Sequence, residues 1–98
     1  MKNIETYITN MVKETIGVYI ISFLLKQVDD IPSNELDYLQ IFTIQKLPKS
    51  TIVIEHSQEV PPRTKYYYLV DDIIKEESIK LYLIYENEYR VFMYADEY

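Results

Sequence analysis

The chain has no cysteine and no tryptophan, one glycine, one histidine and two arginines among its 98 residues. Each scarcity removes a chemistry. Without cysteine there is no disulfide, no thiol nucleophile and no thiolate zinc site, and the composition fits a reducing cytosol. With Gly17 as the only glycine, no glycine-rich phosphate loop can form, because such loops bring backbone against the ligand at positive φ. A lone histidine, His56, cannot build an imidazole-rich metal site. Long apolar runs are missing too. The longest, Ile16 to Leu25, is interrupted by Ser22 and falls short of the roughly 20 residues that span a bilayer. Charged residues flank it, and no small-residue cleavage site follows, so it reads as neither anchor nor signal peptide. The expected compartment is the cytoplasm.

What remains is the composition of a folded domain. Hydrophobic residues make up 48% and charged residues 27%, which is globular rather than disordered. The length predicts a single domain, 1–98, with one core. The net charge is −6, from 16 acids against 10 bases. Proteins hold nucleic acid mainly by neutralising phosphates with Lys and Arg, so neither nucleic acid nor an anionic membrane is an expected partner. The charge is also uneven. Between Asp71 and Tyr98, Asp71, Asp72, Glu76, Glu77, Glu86, Glu88, Asp96 and Glu97 face only Lys75, Lys80 and Arg90. That end should attract a basic surface.

Periodicity predicts an α+β fold, one main helix packed on an antiparallel sheet of four to five strands. Thr15 to Asp29 has helical spacing in Ile16, Ile20, Phe23, Leu24 and Val28, with Thr15 as its N-cap. So apolar a helix should be covered on more than one side, by other elements or by a second subunit. Ile4 to Thr9 reads as a short edge strand. After the turn residues Ile31-Pro32-Ser33-Asn34 the period becomes two, over Leu36 to Leu47, Thr51 to Ser57 and Lys65 to Val70. Pro61-Pro62 stops the second of these. Asp71 to Ser78 is a charged connection with room for one helical turn. Lys80 to Tyr85 and Tyr89 to Tyr94 form a hairpin with Asn87 at its tip.

Three stretches, Asp37-Tyr38-Leu39-Gln40-Ile41-Phe42, His56-Ser57-Gln58-Glu59-Val60-Pro61 and Glu88-Tyr89 through Asp96-Glu97-Tyr98, resemble in order and spacing the domain-of-unknown-function family 960. These are small proteins of Gram-positive bacteria and their phages. The resemblance continues upstream through Tyr7-x-Thr9 and Val12-x-Glu14-Thr15-Ile16. It departs at Gly17, where a proline is expected, and in the absence of a helix tryptophan. It implies the fold and a phage or mobile-element setting, and no catalytic activity.

Candidate chemistry is sparse. His56 with Asp37 and Glu59 would make an acid–base group only if folding brought them within hydrogen-bond reach; a satisfied histidine on a strand face is the plainer reading. The pairs Asp29-Asp30, Asp71-Asp72 and Glu76-Glu77 lack calcium-loop spacing and read as solvated turns. No catalytic residue, metal ligand or cofactor is expected. The strongest oddity is the set of 11 tyrosines. Tyrosine favours sheets and anchors protein interfaces. Alternation puts Tyr66 and Tyr68 on one face and Tyr67 on the other. The expected binding set is Tyr67, Tyr85, Tyr89 and Tyr98 with Asp71, Asp72, Glu76, Glu77, Glu86, Glu88, Asp96 and Glu97. The function expected is occupation of a basic surface on a host nucleic-acid-handling protein, as an inhibitor of a CRISPR nuclease would do. The alternatives are a homo-oligomer joined through the helix Thr15 to Asp29, and a hydrolase using His56.

Overall fold

Alternation of burial, clearest in β3 and β6, builds the sheet, and a break in helical geometry at the single glycine divides the helical layer. The structure, a computed structural model, describes residues 4–98. Its elements are β1 (Glu5–Ile8), α1 (Asn10–Thr15), α2 (Val18–Asp29), a 3₁₀ turn (Ser33–Glu35), β2 (Leu39–Leu47), β3 (Thr51–Gln58), β4 (Arg63–Val70), β5 (Ser78–Tyr85), β6 (Tyr89–Tyr94) and a second 3₁₀ turn (Ala95–Glu97). The strand order is β1-β6-β5-β2-β3-β4. β1 runs parallel to β6, and every other pairing is antiparallel. The expected α+β class holds. The sheet, however, has six strands rather than four to five, and it is mixed rather than purely antiparallel. β1 is the expected edge strand, but it reaches β6 only after the helices have carried the chain across one face.

The single helix expected from Thr15 to Asp29 is two helices. Ile16 and Gly17 are both extended, with φ/ψ of −110/127 and −66/151. Thr15 ends α1 instead of capping the main helix. The cap is Thr9, whose side chain accepts from the Val12 N–H. Gly17 precedes α2, and a Cβ there would sit 2.7 Å from Ile73 Cδ1. Ile20, Leu24 and Val28, spaced four apart, lie against the sheet. The opposite stripe, Val18, Ser22, Lys26 and Asp29, is exposed, so no further layer covers α2 within the described residues. No helix appears between Asp71 and Ser78. There the Asp71 carboxylate accepts from the Ile73 and Ile74 N–H groups, the local turn that short acidic side chains favour.

One face of the sheet carries the core. Phe42, Ile44, Ile52, Ile54, Leu81, Leu83 and Phe92 meet Val12, Ile16, Ile20, Leu24 and Val28 of the helical layer. Each fully buried side chain of this size contributes about 1.5–3 kcal/mol. A polar cluster closes one end of this layer. Arg90 Nε donates to Thr6 Oγ1 at 2.7 Å, and Nη1 donates to Asp29 Oδ1 at 2.7 Å and to the Tyr85 hydroxyl at 2.8 Å. Burial alone would lower the Arg90 pKa, but the bonds to Asp29 and Tyr85 outweigh it and the guanidinium stays charged. This cluster fastens β1, β6, β5 and the end of α2 together.

Candidate functional site: the open face of the sheet

The two helices cover one face of the sheet, and no described helix covers the other. An antiparallel sheet tolerates this when its outer positions are polar; here many are not. The register sets the face out in rows. Tyr7, Val91, Ile84 and Leu39 form one row, and Met93, Tyr82, Ile41, Ser57 and Thr64 the next. Lys80, Thr43, Glu55 and Tyr66 follow, then Ser78, Gln45, Val53 and Tyr68. Tyr66 and Tyr68 are 61% and 69% exposed. With Thr43, Gln45, Val53 and Glu55 they line a recess of about 190 Å³, smaller than the roughly 300 Å³ at which small-molecule sites begin. It offers room for about one side chain.

Tyrosines extend across the whole face. Tyr7 and Tyr89 meet edge to face at 5.5 Å. The turn Ala95–Glu97 carries Tyr98 back so that its ring stands 6.1 Å from that of Tyr82, again edge to face. The strand positions of this face hold three charged residues, Glu5, Glu55 and Lys80. Sparse charge with enriched aromatic side chains is the composition of a protein interface core. A nucleic-acid platform would add cations to the aromatics, and Lys80 is the only cation at the open-face positions of the described strands, since Lys46, Arg63, Lys65 and Arg90 have the opposite parity.

The carboxylates lie at the two ends of the strands. Glu86 and Glu88 flank Asn87 at the tip between β5 and β6. Asp71, Asp72, Glu76, Glu77, Asp96 and Glu97 lie at the opposite end, around the connection into β5 and the turn after β6. Some have internal tasks. Glu76 accepts from the Tyr94 hydroxyl at 2.8 Å. Glu97 accepts from the Tyr94 N–H at 2.8 Å and from Thr9 Oγ1 at 2.9 Å. Asp72, Glu77, Glu86, Glu88 and Asp96 are exposed.

The expected binding set therefore divides. Tyr89 and Tyr98 are on the open face. Tyr67 and Tyr85 are on the helix face, Tyr67 against Phe23 at 5.2 Å and Tyr85 in the Arg90 cluster. Tyr7, Tyr66, Tyr68 and Tyr82, outside that set, complete the open face. The signal for Tyr66 and Tyr68 lay in the alternation, because Tyr67 shares its parity with the apolar Leu69.

His56 is 4% exposed and belongs to a buried relay. Its Nε2 lies 2.7 Å from Gln40 Oε1, and Gln40 Nε2 donates to Gln58 Oε1 at 2.7 Å. The Gln40 oxygen is an acceptor in this arrangement, so Nε2 carries the proton. The Asp37 carboxylate does not touch His56. It accepts from the backbone N–H groups of Tyr38, Glu59 and Val60. Among the described residues there is no group of three or more His, Cys, Asp or Glu placed to hold a metal ion. No helix of the described chain is long and apolar enough to cross a membrane.

Burial, then the nearby Arg63 and Lys65, lowers the His56 pKa from 6.5 to about 4. The folded protein thus keeps His56 neutral between pH 4 and 6.5, where the unfolded chain takes up a proton. Stability is full above pH 6.5 and falls as the pH drops towards 4. The wild type should lose about 2 kcal/mol more than His56→Gln between pH 7 and pH 5. Gln keeps a donor for Gln40 but does not titrate. Urea unfolding of both proteins at the two pH values checks this, and parallel losses would remove His56 as the cause.

Comparison with known proteins finds no matching family model, curated protein or solved structure.

Proposed function

We propose that this chain is a protein-binding protein that seats the open face of its sheet on a basic surface of another protein. The observation that carries the reading is the face itself, with aliphatics and Tyr82 on its inner strands, further tyrosines towards both edges, and exposed carboxylates at both ends of the strands. Rings across the face would supply the holding energy. Carboxylates at the rim would speed encounter and choose a basic partner. A surface built to receive nucleic acid has that basic character. The target class is therefore a nucleic-acid-handling protein, with a bacterial defence nuclease such as a CRISPR nuclease as the leading case. The phage or mobile-element setting comes from the family resemblance alone.

The test is affinity capture from a Gram-positive bacterial lysate, using the wild type beside a Tyr66→Ala/Tyr68→Ala/Tyr82→Ala variant. The wild type should retain a basic nucleic-acid-handling protein at low salt and release it as salt rises. The variant should retain none of it, and neither protein should shift duplex DNA in a gel. Identical retention by both proteins, or none by the wild type at low salt, would overturn the reading.

A further inference from the structure

We infer that two copies of this chain join edge to edge through β4, antiparallel, about a two-fold axis at Tyr67. β4 is an outer strand of the sheet, and its pairing with β3 is unbroken from Thr51↔Val70 to Gln58↔Arg63. The direction of its backbone groups follows from one bond. The Asp71 N–H donates to the Ser50 carbonyl at 2.9 Å. Hydrogen-bonded pairs alternate along an antiparallel ladder, so odd-numbered residues of β4 turn towards β3. Thr64, Tyr66, Tyr68 and Val70 turn their N–H and C=O groups outward, and each has a donor to give. Natural edges are usually blunted by proline, a bulge, short length or charge. β4 has eight residues, and Lys65 is the only charge after Arg63; Pro61 and Pro62 stop just short of it.

The sequence of β4 is complementary to itself in one register. Paired residues must share a face, so the axis must pass through a residue rather than between two. With the axis at Tyr67, Tyr66 of one copy stands opposite Tyr68 of the other, twice, and Thr64 stands opposite Val70. All of these are outward-facing hydrogen-bonding positions. Across the other face Arg63 comes opposite Asp71, whose Oδ1 remains for it because Oδ2 holds the Ile73 and Ile74 N–H groups. Moving the axis to Tyr66 loses that charge pair and puts Pro62, which has no N–H, opposite Val70. Cross-strand aromatic pairs and opposite charges favour the Tyr67 register. Charge complementarity with itself makes a second copy the occupant, and the joined sheet would carry one continuous open face.

Sedimentation equilibrium from about 1 μM to about 1 mM tests this. The wild type should be a dimer over the upper part of that range. Tyr68→Pro removes an outward donor and leaves the β3 ladder intact, so the chain should fold and dimerise at least about 100-fold more weakly. Should that variant fail to fold, Tyr66→Lys/Tyr68→Lys serves instead, because it sets like charges opposite each other at exposed positions. Register is read from single cysteines in this cysteine-free chain. Tyr67→Cys sits on the axis and should cross-link on mild oxidation, whereas Tyr66→Cys should not. A wild type monomeric at about 1 mM, a disrupting variant that dimerises unchanged, or cross-linking by Tyr66→Cys in place of Tyr67→Cys would each overturn the inference.

Discussion

Gln40→Leu is expected to cost about 4 kcal/mol, a large share of the 5–15 kcal/mol that holds a typical domain together. Gln40 is fully buried. Its amide oxygen receives His56 Nε2–H, and its amide nitrogen donates to Gln58 Oε1 and, at 2.9 Å, to the Asp37 carbonyl. Gln58 continues the relay to the carbonyls of Glu35 and Pro61, at 2.8 and 2.9 Å. The two glutamines together thus connect β2, β3, the turn after β3 and the 3₁₀ turn before β2. Leucine matches the volume but strands the His56 N–H and the Asp37 carbonyl. Each buried group left alone costs about 1–3 kcal/mol. Packing offers no repair, because Phe42 already lies against the histidine, stacked at 4.5 Å. The urea midpoint should fall with the slope unchanged. A loss below about 1 kcal/mol would mean that water or a shifted side chain satisfies those groups.

Much of the architecture was legible because alternation and turn chemistry are local. The period-two runs in β2, β3 and β4, the proline stop after β3 and the hairpin around Asn87 follow from neighbouring residues alone. Three features did not. The break at Ile16-Gly17 was hidden because Ile16 continues the apolar line of the helix, although it serves the core from an extended backbone. The parallel pairing of β1 depends on where β6 ends up, which no local pattern encodes. The buried relay was unreadable because Gln40 and Gln58 sit at core parity, where glutamine looks like an error until its partners arrive from the opposite strand.

Of the candidate binding residues, the sequence indicated the types, and the fold arranges them differently. Abundant tyrosine and a carboxylate excess pointed to a docking surface. A charge count along the chain, however, merged acids that the fold sends to opposite ends of the strands. Tyr67 and Tyr85 were placed in the binding set, yet strand parity turns both towards the helices. The same parity turns Tyr66 and Tyr68 outward, and only the register shows that Tyr82, Tyr89 and Tyr7 share their side.

Tyr66→Ala/Tyr68→Ala should therefore weaken partner binding by about 100-fold or more while leaving the melting temperature nearly unchanged. Hot-spot tyrosines are worth about 2 kcal/mol or more each, and these rings contribute little burial to the fold. Tyr67→Ala should do the reverse. Its half-buried ring packs edge to face on Phe23, so its removal should cost about 2 kcal/mol of stability and leave affinity nearly intact. Tyrosine nitration read residue by residue by mass spectrometry, with and without the captured partner, tests the docking face most directly. Tyr66, Tyr68, Tyr82 and Tyr98 should become protected in the complex, while Tyr19, exposed on α2, should react as before. Protection of Tyr19 with the open-face rings still reactive would contradict the account.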